Sequence, residues 1–376
     1  MSQLVGADET IECHGHTVPG FVTIFPKVFR AGVAAMTAEQ IDAVARSLSE
    51  ADRAVLGNFL GAAGVEQVVQ GLATDKAEQL AAHYRAEGER DDEAFRKLYP
   101  RLAATTNNTL SLEQLAEVLA ELGAEEMASQ SFFFGAEGRQ VAFTSLKRDR
   151  VEAILDHTAD WVLLETGRRG VDELAQYTTT LLKRERLDGK MQGEETIAIK
   201  VRHEPLAFHM KWLAGPFKKR EVLYNDALYG PGKIRVREGG LLGVMPVTIG
   251  VDSAVARRGT KHLVTEVGLK PLVDLVDREY RKAAPAGDIQ RKNHGITDLD
   301  GRPVYRMESI LPRDESKGYY CYRMMHYTDF VRALEIKAEV YGFDDQVDEA
   351  FYYRDVDTSP SLTDADFDPK NKAYRL

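Results

Sequence analysis

Apolar residues in the first third of the chain recur at the spacing of amphipathic helices. The segment SLEQLAEVLAEL has its apolar side chains at Leu112, Leu115, Val118, Leu119 and Leu122. They fall on one stripe of a helix, the pattern of a helix that faces a core. Residues 37–128 therefore predict a run of helices.

Two helix starts are marked by capping boxes. Thr37 stands three residues before Gln40, and Ser111 stands three residues before Gln114. In each pair the hydroxyl and the amide can satisfy backbone N–H groups of a first helical turn. The helical period fails in SQSFFFGAEGRQVAF, where we expect a turn or short hairpin, and it returns over residues 148–167.

From about residue 171 the apolar period changes from 3.6 to 2. Ile197, Ile199 and Val201 alternate with polar or small residues in ETIAIKVRHE. In LAFHMKWL, the residues Phe208, Met210 and Trp212 share one face, opposite His209 and Lys211. Such strands, separated by LDGK, YGPGK, LDGRP and DESKG, predict an antiparallel sheet.

The change of period predicts an α+β protein with two domains. Residues 1–150 are expected to form an acidic, all-helical domain and residues 151–376 an antiparallel β domain. One helix interrupts the strands, in TEVGLKPLVDLVDREYRKAA, where Pro271 falls in the first turns. The Phe208, Met210 and Trp212 face is either ordinary core or the wall of a sheet left open for an apolar ligand.

Charge is distributed unevenly along the chain. Residues 1–167 carry 14 Lys/Arg against 26 Asp/Glu, and residues 168–262 carry 18 against 11. This asymmetry indicates that the two blocks attract each other or that the basic block meets an anionic partner, unless both are simply solvated faces. A protein partner is expected for the acidic helical domain. Nucleic acid is not expected as a partner, because the basic block lacks interleaved aromatic residues and the net charge is −10.

Motifs of enzymes and metal sites are absent from the sequence. The stretch REGGLLGVMPVTIGVDS lacks the Lys and hydroxyl that should follow Gly243 in a phosphate loop. Cys13, His14 and His16 form a short cluster that is weak evidence for a metal site, and Cys321 and His326 fit a buried thiol and a surface imidazole. We predict no catalytic residue, no metal and no cofactor, and therefore a protein that is not an enzyme.

Several motifs in order carry a family resemblance. They are a helix ending in YT, the hairpin KRERLDGK, KVRHEPLAFHMKW, KREVLY, GGLLG, ARRGTKHLVTEVGL and YRDVDTSPSLTDADFDPKN. Over roughly residues 150–376 the chain resembles the bacterial family called domain of unknown function 1571. That family is similar to the LolA/LolB lipoprotein carriers, which implies a curved, incomplete β-barrel with helices on its concave side.

The resemblance implies binding or carriage of a lipid or acyl chain, coupled to a helical interaction domain. Lipid or an acylated protein is then the expected partner. The candidate lining and lid residues are Phe208, Met210, Trp212, Leu241, Leu242, Val244 and Met245. The candidate basic rim, which would meet an anionic head group, consists of Lys218, Lys219, Arg220, Arg257 and Arg258. The alternative is a protein-interaction or scaffolding module whose sheet is plugged.

The sequence also gives an expectation for location. No apolar run approaches the length of about 18 residues that a membrane helix needs. The first residues, MSQLVGADETIECHGH, lack the basic and apolar regions of a secretory signal. A cytoplasmic protein is expected as written, or a periplasmic one if the native start lies upstream.

Overall fold

The protein divides into two compact units. A computed structural model describes residues 5–240 and 245–376. The helical unit comprises the chain up to residue 166 together with 330–333, and the sheet unit comprises 167–329 and 334–376. In the described part of the chain, no helix combines the length and apolar character needed to cross a bilayer.

The helical unit begins with a small hairpin and continues as helices. The hairpin strands are β1 (Ile11–Cys13) and β2 (His16–Val18). The helices are α1 (Phe21–Ala35), α2 (Ala38–Ser47), α3 (Glu50–Val69), α4 (Thr74–His83), α5 (Asp92–Thr109), α6 (Leu112–Glu121), α7 (Ala124–Ser145), α8 (Arg148–His157) and α9 (Asp160–Asp172), the last of which runs into the sheet unit.

Both predicted capping boxes are confirmed. Thr37 and Gln40 exchange hydrogen bonds at the start of α2, and Ser111 and Gln114 do the same at the start of α6. Gln40 Nε2 also donates to Gln114 Oε1 over 3.1 Å. The two helix starts are therefore held side by side by the side chains that cap them.

The core of the helical unit is aromatic. Phe59 stacks on Phe95 with ring centroids 3.7 Å apart, and Phe21 stacks on Phe133 with centroids 4.3 Å apart. These rings come from α1, α3, α5 and α7, and each is at most 4% exposed. Offset stacking adds about 0.5–1.5 kcal/mol per pair to the burial of the rings.

The turn or hairpin predicted for SQSFFFGAEGRQVAF is wrong, since the segment lies within α7. Gly135 interrupts the helix with φ 60° and ψ −171°, a conformation open essentially to glycine alone. Two helical pieces meet there at a kink. The apolar stripe changes direction at the kink, and the continuous period is lost from the sequence.

Replacing Gly135 by Ala should destabilise the helical unit by about 1–3 kcal/mol, because a Cβ strains this backbone conformation. The measurement is urea unfolding followed by circular dichroism. The matched control is Gly32→Ala in α1, where the added Cβ lies 3.6 Å from Thr106 in ordinary contact. The control should be neutral or slightly stabilising. Equal effects of the two substitutions would contradict the strain argument.

The sheet unit contains long strands and few helices. Its first half consists of β3 (Gln176–Leu187), β4 (Lys190–Met191), β5 (Glu195–Arg202), β6 (Ala207–Ala214), β7 (Glu221–Asn225), α10 (Asp226–Tyr229), β8 (Lys233–Arg237) and β9 (Val247–Gly250). Its second half consists of α11 (Leu269–Ala283), β10 (Gln290–Leu299), β11 (Arg302–Ile310), β12 (Arg323–Asp329), β13 (Leu334–Tyr341) and β14 (Val347–Asp357).

The described strands of this unit form one open antiparallel sheet. Their order is β10-β11-β12-β13-β14-β3-β5-β6-β7-β8-β9, with β4 paired to β3. The first and second halves of the sheet unit meet where β14 pairs with β3. The strands β9 and β10 form the two edges of the sheet and do not pair with each other. The predicted α+β class, with helices followed by an antiparallel sheet that does not close, is confirmed.

Helix α11 is fixed to the sheet at its first residues. The backbone N–H of Leu269 donates to the hydroxyl of Tyr177 over 3.0 Å, and that of Gly268 donates to the hydroxyl of Tyr353 over 3.0 Å. Both tyrosines are buried, one on β3 and one on β14. They satisfy backbone donors that a helix start leaves without partners.

The alternation in β5 defines two faces of the sheet. The inner face carries Ile197, Ile199 and Val201, whereas the outer face carries Lys200 and Arg202. Residues 358–376, the C-terminal segment, lie on the outer face. Lys200 and Arg202 contact the segment's carboxylates at 2.7 Å each, through Asp366 and Asp364. The outer face at β5 is therefore covered.

His209 shows how well the segment covers the outer face. Its ring stacks on Tyr374 with centroids 3.8 Å apart, and the residue is 4% exposed. Burial, together with the charges of Lys200 and Lys211, lowers the pKa of His209 to about 4. The folded protein thus favours the neutral ring.

Acid should loosen this contact. Because the folded pKa of His209 lies below its ordinary value, the stability tied to the neutral ring is complete above pH 6.5. It is lost as the pH falls toward 4. His209→Phe keeps a ring for Tyr374 and removes the titration. The free energy of unfolding of this variant, relative to that of the wild type, should rise by up to about 3 kcal/mol as the pH falls from 7 to 4.

The measurement is urea unfolding at several pH values. His157→Phe, at an exposed position of α8, is the control and should not show the trend. A pH-independent difference for His209→Phe would refute the assignment.

Candidate functional site

A cavity lies on the inner face of the sheet, beneath residues 251–267, which we call the covering loop. Its apolar lining comprises Ile197, Met210, Trp212, Val222, Ile234 and Val236 from the strands, Phe217 from the β6–β7 turn, and Val255, Ala256, Val264 and Val267 from the covering loop. Its polar lining comprises Lys183, Glu195, Arg220, Thr260 and His262. One end of the cavity is therefore charged.

The cavity is small as bounded by the described residues. Its volume is about 40 Å³, enough for about three water molecules. Val255 lines the cavity and is 45% exposed, which places the mouth beside it. A ligand with many carbon atoms would enter only if the covering loop moved outward.

Lys183 is the central cation of the polar end. Its Nζ atom lies 3.1 Å from Glu185 Oε2 and 3.4 Å from Glu195 Oε1, and it donates to Thr260 Oγ1 over 3.2 Å. Lys183, Glu185 and Glu195 are each at most 5% exposed. Buried charges of this kind are tolerated only as hydrogen-bonded partners, so each of the three depends on the others.

The polar and apolar ends are joined by tryptophan and arginine. The indole N–H of Trp212 donates to Glu195. The guanidinium of Arg220 lies 4.1 Å from the Phe217 ring centroid and pairs with Glu238 over 2.8 Å. Trp212 and Arg220 thus present apolar surface to the cavity while their polar groups are satisfied.

Two buried carboxylates face each other across the middle of the sheet. Glu185 on β3 is the cross-strand neighbour of Glu349 on β14, and each is 2% exposed. Like charges opposite each other destabilise a sheet, and more so when buried. This pair therefore requires nearby cations.

The covering loop supplies cations to this pair. His262 Nε2 lies 2.9 Å from Glu349 Oε2, and Lys261 Nζ lies 3.3 Å from Glu349 Oε1. Tyr320 Oη donates to the same carboxylate over 2.7 Å. The backbone N–H of Lys261 donates to Glu185 Oε2 over 3.3 Å. These contacts fix the loop to the sheet.

The same contacts shift the pKa values of the partners. Burial alone would lower the pKa of His262, but the hydrogen bond and charge of Glu349 outweigh it, and the pKa is raised. Burial would raise the pKa of Glu349, but His262, Tyr320 and Lys261 lower it. Lys261 also donates to Asp348, so the cations Lys183, Lys261 and His262 face four carboxylates: Glu185, Glu195, Asp348 and Glu349.

The predicted lining residues occupy different places. Met210 and Trp212 line the cavity, whereas Phe208 stacks on Tyr224 with ring centroids 4.9 Å apart. Met245 is 74% exposed. Leu241, Leu242 and Val244, the other predicted lid residues, lie outside the described residues.

The predicted basic rim is divided between surface and interior. Lys218 and Lys219 are exposed in the β6–β7 turn, and Arg257 and Arg258 are exposed in the covering loop. Arg220 is only 6% exposed and is paired with Glu238.

Sequence reasoning missed the polar end of the cavity. Lys183 and Glu185 occur in KRERLDGK, where they resemble the exposed charges of a hairpin. A signal was present, since both fall in the same alternating register as Leu181, which predicts one shared face. Their partners Glu195, His262 and Glu349 are distant in sequence, and only the fold brings them together.

The Cys321 and His326 pair is arranged differently from the prediction. Cys321 is buried as expected, and burial raises the pKa of its thiol to about 12. His326 is also buried, at 1% exposure, which corrects the predicted surface position. Its ring nitrogens contact Glu335 at 2.8 Å and Ser309 at 3.0 Å.

His262 should stabilise the fold in a pH-dependent way. Because its folded pKa is raised, the stability it contributes is complete below its ordinary pKa of about 6.5 and is lost as the pH rises through the raised value. His262→Gln should therefore cost about 2 kcal/mol at pH 6 and clearly less at pH 9.

Urea unfolding at pH 6 and pH 9 measures the effect. The exposed His157 of α8 gives the control variant His157→Gln, which should match the wild type at both values. An equal loss for His262→Gln at pH 6 and pH 9 would count against an ionic contact with Glu349.

Comparison with solved structures gives low overall similarity. MucB is 16% identical with a TM-score of 0.36, and the match covers 55% of this chain and 61% of MucB. The lipoprotein LppX of Mycobacterium tuberculosis is 12% identical with a TM-score of 0.34, covering 54% of this chain and 99% of LppX. A LolA superfamily protein from Nitrosomonas europaea is 12% identical with a TM-score of 0.23, and the match covers 55% of this chain and 96% of that protein.

The chain thus spans about three fifths of MucB, and no curated protein matches it in sequence. A family model described as protein of unknown function (DUF1571) matches residues 174–376. That range includes the whole sheet from β3 to β14 and the cavity with its polar end. Since the match extends over more than half of its residues, the chain belongs to the DUF1571 family.

Proposed function

We propose that the sheet unit binds the acyl chain of a lipid or of an acylated protein on its inner face, without catalysing a reaction. The observation that carries the proposal is the cavity beneath the covering loop, whose walls are apolar on both the strand side and the loop side. The resemblance to LolA-like carriers implies a ligand of the same kind.

The physical driving force is burial of the ligand's methylenes. Each buried methylene contributes about 0.8 kcal/mol, so about ten of them would contribute about 8 kcal/mol before the cost of moving the loop. The covering loop has little regular secondary structure, with the short 3₁₀ turn Val264–Glu266 near its end. A loop of this kind can move without breaking the strand ladder.

The charged end of the cavity would determine the orientation of a bound ligand. Lys183, Glu195 and His262 line one end, and the apolar residues of β6, β7 and β8 line the rest. An amphipathic molecule would place its chain against the apolar strands and its polar group near the charged end. The acidic helical unit would bind a protein partner separately from this site.

The second candidate is a protein-interaction module with a plugged sheet. The cavity volume of about 40 Å³ favours it, because no acyl chain fits unless the loop moves. The two candidates differ in one measurable property. A carrier opens and binds fatty acid, whereas a plugged module does neither.

The test is titration with a fluorescent fatty acid, together with lipid extraction and native mass spectrometry of the purified protein. Ala256 lines the cavity and Ala254, two residues earlier in the same loop, is exposed and does not. Ala256→Phe should weaken binding at least tenfold by filling the cavity, and Ala254→Phe should bind as the wild type does.

Thermal unfolding checks that both variants fold. Wild-type protein that carries no lipid and ignores the fatty acid would exclude the carrier and favour the plugged module. Equal binding by Ala256→Phe and the wild type would also reject this cavity as the site.

A further inference from the structure

Exposed apolar side chains are concentrated beside the mouth of the cavity. Eight large apolar residues are exposed in the described part of the chain. Three of them lie just before β9, in β9 or in the covering loop: Met245, Val247 and Val255. Single exposed apolar residues need no explanation, but a group at one edge of a sheet indicates an interaction surface.

Backbone and side-chain contacts bring these elements together. Gly239, after β8, approaches the β6–β7 turn so closely that a Cβ on it would lie 2.2 Å from the carbonyl oxygen of Lys218. Val247 pairs with Val236, which lines the cavity together with Val255. The β6–β7 turn, the end of β8, the start of β9 and the covering loop therefore adjoin one another.

Exposed cations occupy the turn and the loop that adjoin these apolar residues. Lys218 and Lys219 are exposed in the β6–β7 turn, and Arg257 and Arg258 are exposed in the covering loop. The guanidinium carbon of Arg258 lies 6.0 Å from the centroid of Phe217 in that turn, so the two elements adjoin. We call Lys218, Lys219, Met245, Val247, Val255, Arg257 and Arg258 the basic–apolar rim.

Nearby carboxylates do not cancel this charge. Glu238 lies 3.2 Å from Arg258, but it also pairs with the buried Arg220 over 2.8 Å. Glu194 is exposed next to the β6–β7 turn, where its carbonyl oxygen would lie 2.5 Å from a Cβ on Gly215. Asp252 is a third carboxylate, exposed at the start of the covering loop. The four rim cations and Arg220 outnumber these three carboxylates, so the rim is positive on a chain whose net charge is −10.

We propose that the basic–apolar rim docks on the surface of an anionic lipid bilayer. Lys218, Lys219 and Arg257 contact the head groups, and the aliphatic side chains of Met245 and Val247 enter the interfacial region. Anionic bilayers attract clustered Lys and Arg, and exposed aliphatic side chains are driven into the acyl boundary. The exposed apolar residues of the rim are aliphatic, which fits lipid better than the bases of a nucleic acid, for which aromatic side chains are needed.

The rest of the chain makes the docking directional. The acidic remainder of the protein is repelled by an anionic surface, so the rim is the part that approaches it. The mouth of the cavity beside Val255 then faces the bilayer. This docking does not depend on ligand binding in the cavity, and the two can be tested separately.

The experiment is co-sedimentation of the full chain with vesicles of phosphatidylcholine containing 30% phosphatidylglycerol, compared with pure phosphatidylcholine. Wild type should bind only the anionic vesicles. The double variant Lys218→Gln/Lys219→Gln should bind about 30-fold more weakly, at about fivefold per charge removed. The matched control Lys370→Gln/Lys372→Gln, at exposed positions of the C-terminal segment, should bind as the wild type does.

Two further variants separate the aliphatic contact of the rim from its charge and from acyl-chain binding in the cavity. Met245→Ser/Val247→Ser leaves the charge unchanged and should still weaken binding several-fold, because it removes aliphatic side chains from the rim. Val222→Phe, which fills the cavity from β7 and leaves the rim residues unchanged, should keep full vesicle binding, and this distinguishes the docking from acyl-chain binding.

Absence of binding to anionic vesicles would overturn the proposal, as would equal losses in the rim and control double variants. An unchanged affinity of Met245→Ser/Val247→Ser would overturn it too, since the aliphatic contact would then be missing. Binding to poly-glutamate without binding to vesicles would assign the rim to an acidic protein instead.

Discussion

The inner face of the sheet depends on compensation of two buried carboxylates, Glu185 and Glu349, which face each other across β3 and β14. Lys183 supplies one cation from within the sheet, and the covering loop supplies Lys261 and His262. The loop is therefore held to the sheet by ion pairs as well as by its apolar residues, which line the cavity. If the loop moves, the carboxylates lose two cations and water must replace them, so opening and hydration of this face are coupled.

Much of the architecture follows from the sequence, because many elements have one face toward a core and one toward solvent. The capping boxes at Thr37 and Ser111 give two helix starts, and the alternation at Ile197, Ile199 and Val201 gives a strand with its inner face. Periods of 3.6 and 2 are visible only where polar and apolar sides differ. In such segments the sequence predicts helix or strand correctly.

The predictions fall short where an element does not have one continuous polar side and one continuous apolar side. In α7 the backbone turns at Gly135, so one helix contains two stripes. The alternation in β6 gives the face of His209 but not that a segment from the far end of the chain covers this face through Tyr374. Part of the candidate site, Met210 and Trp212, follows from alternation alone. Its charged end does not, because a buried Lys183 and an exposed lysine look the same in a sequence.

The pairing of β3 with β14 has a consequence for how the chain is made. The two strands are neighbours in the middle of the sheet, yet nearly all of the sheet unit separates them in sequence. During synthesis, β3 remains an unpaired edge of the half-sheet formed by β3 to β9 until β14, the last strand, has been made. Inward-pointing charges on such an edge hinder pairing with the wrong strand. Lys183 and Glu185 would keep the nascent half-sheet from aggregating until Glu349 arrives with its own strand.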